Sequence, residues 1–399
     1  MPSQHFMHEI FLVAVCWLVY VYAGYPAILT LLALSRRQRP LVSESCESSV
    51  SVLIAARNEE KDIGWKITET LGWDYPSEKL HILVASDASD DSTDEIVKAM
   101  SDPRVTFVRM KKRGGKVRAL NRLAELARGE ILFFTDANAH IGPQALRLMV
   151  RHFADERVGC VTGDSRPIRE RDNPAVSGGA SVYWGYESTL KRLENRISSV
   201  LVCDGAIFCM RALLFHRLDP NLANDLETPM RVGASGGWIT HEPAALVFER
   251  DTTSPFEEFQ RRRRMCAQGM LAMMTLPGVL RGLRGWQFIS HKFLRWSSLI
   301  PMLMVLVSSA VLAPHSPFFS LLLVLQAIFY GVAAFGLQSA KMNRPVATLI
   351  AIPFYVVLGV VGAFVGEVDS LRGKRFDVWE IPSSSRGPVE ATSRVVETG

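Results

Sequence analysis

Charge is missing from three long stretches of this 399-residue chain. No Asp, Glu, Lys or Arg occurs in residues 10–35, 296–340 or 345–366. All 85 charged residues fall in the other 306, about 28 % of them, slightly above the roughly 25 % of a soluble domain. The whole-chain averages, a net charge of +5 and a mean hydropathy of +0.13, therefore sum a soluble domain and membrane segments. Cysteine is also scarce. Six residues, Cys16, Cys46, Cys160, Cys203, Cys209 and Cys266, form no CxxC pair, which excludes a secreted disulfide scaffold and argues against a zinc site. The apolar content, 48 %, excludes disorder for the chain as a whole. There is no internal repeat, and the GxxxxGK[ST] spacing of a P-loop is absent.

Acid is missing between Glu258 and Glu367, where ten bases stand: Arg261, Arg262, Arg263, Arg264, Arg281, Arg284, Lys292, Arg295, Lys341 and Arg344. The remainder of the chain carries −5, so the basic excess is local to the apolar segments. Anionic lipid headgroups account for that placement, and no motif speaks for nucleic acid. Residues 10–35 are long enough to cross a ~30 Å hydrocarbon core, with Arg36, Arg37 and Arg39 placing their C-terminal end in the cytoplasm. No basic segment precedes them and no small-residue cleavage site follows, so a retained anchor is expected rather than a signal peptide. Residues 292–366 are expected to hold about three spans, near 293–313, 318–339 and 346–366, and residues 269–291 an interfacial amphipathic helix. Four crossings from an outside N-terminus would leave the 367–399 tail outside, whereas Arg372, Lys374 and Arg375 favour the cytoplasm. The Ser-rich tract beyond Ile381 is expected to be disordered.

Between these segments, residues 46–268 alternate apolar runs with helical stretches. Strands are expected at 51–56, 81–86, 105–108 and 130–135, with helices at 59–71, 92–100, 116–127 and 143–154. The alternation predicts an α/β fold, a mostly parallel Rossmann-like sheet with ligands beyond the C-terminal strand ends. Past Asp164 the pattern is less regular. A strand is expected at 205–210, two short strands within 238–249, and a helix over 254–268 opened by Ser254-Pro255.

Polar residues gather where those strands end. Asp87 lies one residue past a strand, either as an Asx turn or as a carboxylate facing a base or ribose. Asp136 and Asn138, two apart, offer oxygen to a hard divalent cation, or bond only to backbone. Arg113-Gly114-Gly115-Lys116 opens a helix, either as a plain loop or as an anion site. Asp225 and Glu227 supply a general base, or Asn224 merely caps a helix. Arg261 to Arg264 face headgroups or clamp a pyrophosphate.

Taken in order, SVLIAARNEE, VASDASDDSTDEI, RGGKVRALN, FTDANAHI, CDGAIFCMRALLF, ANDLETPMRV and RRRRMCAQG resemble the motifs of membrane-bound family 2 glycosyltransferases related to hyaluronan and cellulose synthases. The resemblance implies a GT-A fold and an inverting, metal-dependent sugar transfer from a nucleotide sugar, with UDP-sugar expected, to a polysaccharide or lipid acceptor. Transfer of a single sugar to a lipid and a catalytically silent nucleotide-sugar-binding subunit are the alternatives. It places the chain in a bacterial inner membrane with the catalytic domain cytoplasmic. Carried over by position, Ala55, Arg57 and Glu59 line the nucleotide pocket, Asp87 holds uracil or ribose, and Lys116 lies near the base or diphosphate. Asp136 with Asn138 ligates Mn²⁺ or Mg²⁺, Asp225 is the base, and Arg263 or Arg264 holds the diphosphate. Ala88 stands where Gly is usual, and three further departures bear on function: Asn138 stands where a second Asp is usual, Asn224 precedes the base where Glu or Asp is common, and the arginine run lacks the Trp of processive synthases.

Overall fold

The computed structural model describes residues 2–35, 40–168, 174–250, 254–276, 278, 280–342 and 347–378. Arg36, Arg37, Arg39 and Arg344, and the tract beyond Ile381, lie outside the described residues. Among the described residues, eight strands form one sheet: β1 (Val50–Ala56), β2 (Leu80–Ser86), β3 (Val105–Arg109), β4 (Ile131–Asp136), β5 (His140–Ile141), β6 (Val158–Ile168), β7 (Phe208–Arg211) and β8 (Trp238–Arg250). Their order is β3-β2-β1-β4-β7-β6-β8-β5. β1 to β4 are parallel neighbours, β7 runs antiparallel between β4 and β6, and β8 runs parallel to β6.

The helices are α1 (Pro2–Val19), α2 (Tyr25–Ser35), α3 (Ile63–Leu71), α4 (Thr93–Ala99), α5 (Lys116–Leu126), α6 (Ala145–Val150) and α7 (Pro174–Ile197). They continue with α8 (Asn224–Ala234), α9 (Pro255–Thr275), α10 (Gly282–Phe288), α11 (Leu294–Trp296), α12 (Leu299–Leu312), α13 (Pro317–Lys341) and α14 (Thr348–Leu371).

The parallel strands are apolar at nearly every position because both faces are covered. Val52, Ile54, Ile82 and Phe133 pack with Ile63 and Ile67 of α3 and Leu146 of α6. On the opposite face, Leu53, Leu83, Leu132 and Phe134 pack with Ala119, Leu120 and Leu123 of α5. Each strand thereby ends with its polar residues at one edge, beside the start of its following helix.

Two expectations need correction. The segment at 238–249 is one continuous strand, β8, although its pairing with β6 is interrupted at residues 242–245, around Glu242-Pro243, and resumes at Leu246 in a shifted register. Past Asp164, where the sequence pattern is less regular, β6 continues to Ile168 and the 24-residue α7 begins at Pro174. Leu190, Leu193 and Ile197 of α7 sit at helical spacing and pack on Tyr25, Leu29 and Ala33 of the N-terminal helix. The helix expected over 254–268 runs on to Thr275, so a boundary at residue 268 cuts through α9.

Among the described residues, three helical runs are long and apolar enough to cross a membrane: Gln4–Ser35, Pro317–Lys341 and Leu349–Leu371. The fourth candidate, expected near 293–313, is a pair of helices, Gly282–Trp296 and Leu299–His315, bent by 54°. The first of the pair takes in most of the stretch expected as a separate interfacial helix. Buried ion pairs tie it to the soluble domain: Glu187 of α7 meets Lys292 (3.3 Å) and Arg295, and Glu194 accepts from Tyr25 (2.7 Å) and pairs with His291 (2.7 Å).

Phe134 stacks on Phe208 with ring centroids 4.5 Å apart, locking β4 to β7 two residues before Asp136. Phe134→Ala is expected to lower unfolding stability by about 3–5 kcal/mol, measured by denaturant titration of the detergent-solubilised chain.

Candidate functional site

The loops after β1 and β2 are sewn together by polar contacts. The Arg57 guanidinium donates to the Asp87 carbonyl (3.0 Å), to the Ala88 carbonyl and to the Asp90 carboxylate (3.1 Å). Asn58 takes the Asp90 N–H (3.1 Å), and the Glu59 N–H donates to Thr93 Oγ1 (2.8 Å). Asn58 and Ala88 both hold φ of +55°. Asn tolerates that left-handed conformation, whereas Ala pays for its Cβ there, which is the physical reason Gly suits position 88. Arg57 and Glu59 thus shape this edge of the sheet, with Glu59 buried beneath it. Ala55 neighbours Asp136 across the β1–β4 ladder and keeps the ledge beside that carboxylate low.

Asp87 is buried, and its carboxylate receives the backbone N–H groups of Gly114 (2.7 Å) and Gly115 (2.8 Å). Its first task is therefore to hold the glycine turn. Gly115 has φ +88°, and a Cβ there would collide with the Asp377 carbonyl, so glycine is required on both counts. The turn delivers Lys116 at the start of α5, and Lys116 Nζ bonds Asp136 Oδ1 at the end of β4. Asn138 follows in the turn after Asp136, half-buried.

The remaining residues close on this pair. Asp225 lies in the first turn of α8, above Gly205, and burial followed by the charges of Asp204 and Asp136 raises its pKa while Lys116 opposes. Glu227 faces elsewhere. It is fully buried, accepting from the Asp219 N–H (2.9 Å) and Arg231 Nε (2.7 Å), so of the two carboxylates on this helix Asp225 is the one turned to the strand ends. Asn224 caps nothing; Ala223 occupies the N-cap.

The arginine run divides its labour. Glu258 binds Arg261 Nε (2.8 Å) and Arg262 Nε (2.7 Å), and these two outweigh its burial to hold its carboxyl near 2. Arg263 turns to Asp369 of α14. Arg264 is the one aimed inward: burial and Arg261 lower its pKa to about 10, against the attraction of Asp225 and Asp136. Of the two arginines expected at the diphosphate, the structure brings only Arg264 to the carboxylates.

Two acids belong to the site that sequence reasoning passed over. Asp204 is buried just before β7, with Lys191 of α7 at 3.9 Å. Glu249, near the end of β8, is pushed up to about 8 by burial and then by Asp136 and Asp204, against Lys116 and Arg261. Glu249 closes the apolar run AALVFE, the same strand-end signal that marks Asp136. Lys66, fully buried, supports the Asp136 turn from below by donating to the Ala139 carbonyl (2.5 Å). Among the described residues, no group of three or more His, Cys, Asp or Glu is arranged as a self-sufficient metal cage.

This arrangement is a GT-A fold. Residues 51–215 match the family model described as Glycosyl transferase family 2. The chain carries a family 2 glycosyl transferase domain. It is 27 % identical to the "Probable glycosyltransferase YdaM" of Bacillus subtilis over 231 residues, 55 % of this chain and 54 % of that protein. It is 33 % identical to a beta-monoglucosyldiacylglycerol synthase of Trichormus variabilis over 116 residues, 28 % of this chain and 25 % of the other. It is also 29 % identical to a poly-beta-1,6-N-acetyl-D-glucosamine synthase of Staphylococcus epidermidis over 126 residues, 31 % and 30 % of the two chains. The chain thus spans about half the length of the first of these relatives and less than a third of the other two. Its fold is similar to that of the mannosyltransferase PcManGT from Pyrobaculum calidifontis, solved in complex with GDP-Man and Mn²⁺: TM-score 0.68, 20 % identity, covering 92 % of this chain and all of the other.

Glu249 generates a pH prediction. Its folded pKa, about 8, lies above the ordinary value of 4.5, so the native state binds the extra proton between those values. Its contribution favours the native state below pH 4.5 and is lost as pH rises through 8. Glu249→Gln is expected to be more stable than wild type at pH 8.5 relative to pH 5, read as the difference between the two proteins' melting temperatures at each pH.

Proposed function

We propose that the chain is an inverting glycosyltransferase that moves a sugar from a nucleoside diphosphate sugar to a hydroxyl of a membrane-associated lipid or polysaccharide acceptor. The observation that carries this reading is the meeting of Asp225, the acid with a raised pKa, with Lys116, Arg264 and Asp136 at the strand ends. In that frame the nucleoside enters over Ala55, Arg57, Glu59 and Asp87, and its diphosphate lies between Lys116 and Arg264. The Asp225 carboxylate takes the proton of the acceptor hydroxyl. The acceptor oxygen bonds the anomeric carbon as the bond from that carbon to the diphosphate oxygen breaks, and the diphosphate leaves with the electron pair. One displacement of this kind inverts the configuration and needs no covalent enzyme intermediate. Lys116 and Arg264 stabilise the charge that develops on the leaving diphosphate.

The donor set fits Mn²⁺ or Mg²⁺. Asp136 and the Asn138 amide offer hard oxygen, and such cations are commonly bound through one or two carboxylates plus substrate phosphates rather than by an all-protein cage. Glu249 is raised first by burial and then by Asp136 and Asp204, and it is this second contribution, an excess of negative charge, that a cation relieves. Bound there, the ion would add Lewis-acid stabilisation of the diphosphate.

Transfer of a single sugar to a lipid has one observation in its favour. With Arg264 at the carboxylates, the next position, where processive synthases place Trp, is Met265, and it points outward, 47 % exposed. No aromatic platform at that position holds a growing chain.

The test uses the full chain in lipid nanodiscs with labelled UDP- and GDP-sugars, metal and membrane lipid extract, with products resolved by thin-layer chromatography and gel. The expected outcome is turnover of one donor, lost about 10²–10⁴-fold in Asp225→Asn with donor binding retained. Unchanged turnover in that variant rejects the base assignment. Donor binding by wild type without turnover of any acceptor favours a silent binding subunit.

A further inference from the structure

Residues 345–366 carry no charge, and α14 is long enough to cross a bilayer, yet besides α13 it packs on α9 and α7, helices of the soluble domain. α14 runs alongside α9 in the same direction. Tyr355 donates to Glu258 (3.0 Å) and accepts from Arg262 (3.2 Å). Gly362 lies against Arg262 and Phe259, and at Gly366 the two backbones meet so closely that a Cβ would run into the Arg263 carbonyl. Arg263 pairs with Asp369, and Ser297 Oγ donates to Glu367 (2.8 Å). Helix α9 holds four arginines and Glu258, and charges of that density do not lie in hydrocarbon. A helix lying along α9 shares its depth.

The two ends of α14 are on one side. The far end of the membrane bundle is marked by His8 and Phe11 of α1 meeting Phe318 and Phe319 at the start of α13, with ring centroids 5.1–6.5 Å apart. From there α13 runs 25 residues, about 37 Å, which is enough to return across a ~30 Å core to the catalytic side. α14 begins seven residues after α13 ends, its Phe354 packed on Gly336 near that end. Beyond its C-terminus the chain lies on the catalytic domain: Gln268 donates to the Phe376 carbonyl (3.1 Å), and Asp377 stands 3.7 Å from Arg118.

We infer that α14 does not cross the bilayer but lies along α9 in the leaflet on the catalytic side, its partner being the lipid of that leaflet. The outward face is apolar, with Leu349 84 % and Val356 41 % exposed, and suits acyl chains. The exposed Arg372, Lys374 and Arg375 that follow suit anionic headgroups. The outward crossing then belongs to the bent pair 282–315 and the return to α13. That parity puts residues 372–375 on the catalytic side, as their charge favours, and removes the conflict that four crossings create. Through Gly362 and Gly366 the lipid-seated helix rests directly on the helix that carries Arg264.

Single cysteines at exposed positions of the full chain test this in sealed cells treated with a membrane-impermeant maleimide. His315→Cys is expected to label fully without permeabilisation. Met342→Cys and Arg372→Cys are expected at the wild-type background until the membrane is opened, then to rise to the level of His315→Cys. Arg375→Cys repeats the measurement should Arg372→Cys fail to accumulate. Labelling of Arg372→Cys or Arg375→Cys in sealed cells, or labelling of either that does not rise on permeabilisation, overturns the inference. So does a Met342→Cys reactive from outside or a His315→Cys that is not.

Discussion

Like charges at the C-terminal edge of the sheet set the terms for the rest of the structure. Asp136, Asp204, Asp225 and Glu249 come from β4, the segment before β7, α8 and β8, and each lies within electrostatic reach of others in the group. Repulsion among buried carboxylates is costly unless protons or cations offset it. Here Lys116 reaches Asp136, Lys191 stands beside Asp204, and Arg264 feels both Asp225 and Asp136. Glu249 answers by holding a proton into the neutral range. The site is thereby prepared for a ligand that brings cation and anion together, because a diphosphate with its metal satisfies acids and bases at once.

Each of those cations is positioned by something further out. Lys116 reaches Asp136 because Asp87 grips the Gly114-Gly115 turn, and Asp87 is placed by a loop that Arg57 fastens from the neighbouring strand. Arg264 turns inward while Glu258 engages Arg261 and Arg262, and Asp369 engages Arg263. Since Asp369 and Tyr355 belong to α14, the arginine row is braced by the apolar helix as much as by the soluble domain. The bilayer and the sugar-nucleotide site therefore share a helix pair, an arrangement suited to an acceptor that arrives from the membrane.

Much of this was legible in the chain. The apolar runs of β1 to β4 are buried on both faces, so their signal is continuous and their polar ends mark the site. β6 was not legible, because VGCVTGDSRPI mixes Gly and polar residues that only its two neighbours explain. α7 did carry a helical spacing in Leu190, Leu193 and Ile197, obscured by the glycines before it. Spacing alone left Asp225 and Glu227 open until the family resemblance chose Asp225, and neither separated the arginines of 263 and 264; partners from distant segments, Arg231, Asp219 and Asp369, distinguish them. Composition read α14 as a span because charge-free length is the same for a helix that crosses and for one that lies against a protein. What distinguishes the two is the contact of Tyr355, Gly366 and Asp369 with α9, which is tertiary information.

The central claim is that the strand-end acids and Lys116 form a seat for a nucleoside diphosphate and its cation. It is tested most directly by calorimetric binding of UDP and of GDP to the full chain in nanodiscs, with and without Mn²⁺, in wild type and Asp136→Asn. The account predicts that Mn²⁺ tightens binding of one nucleotide at least about tenfold, some 1.4 kcal/mol, and that the gain disappears in Asp136→Asn. Equal affinity with and without Mn²⁺, or a gain that survives the loss of the Asp136 carboxylate, would contradict it.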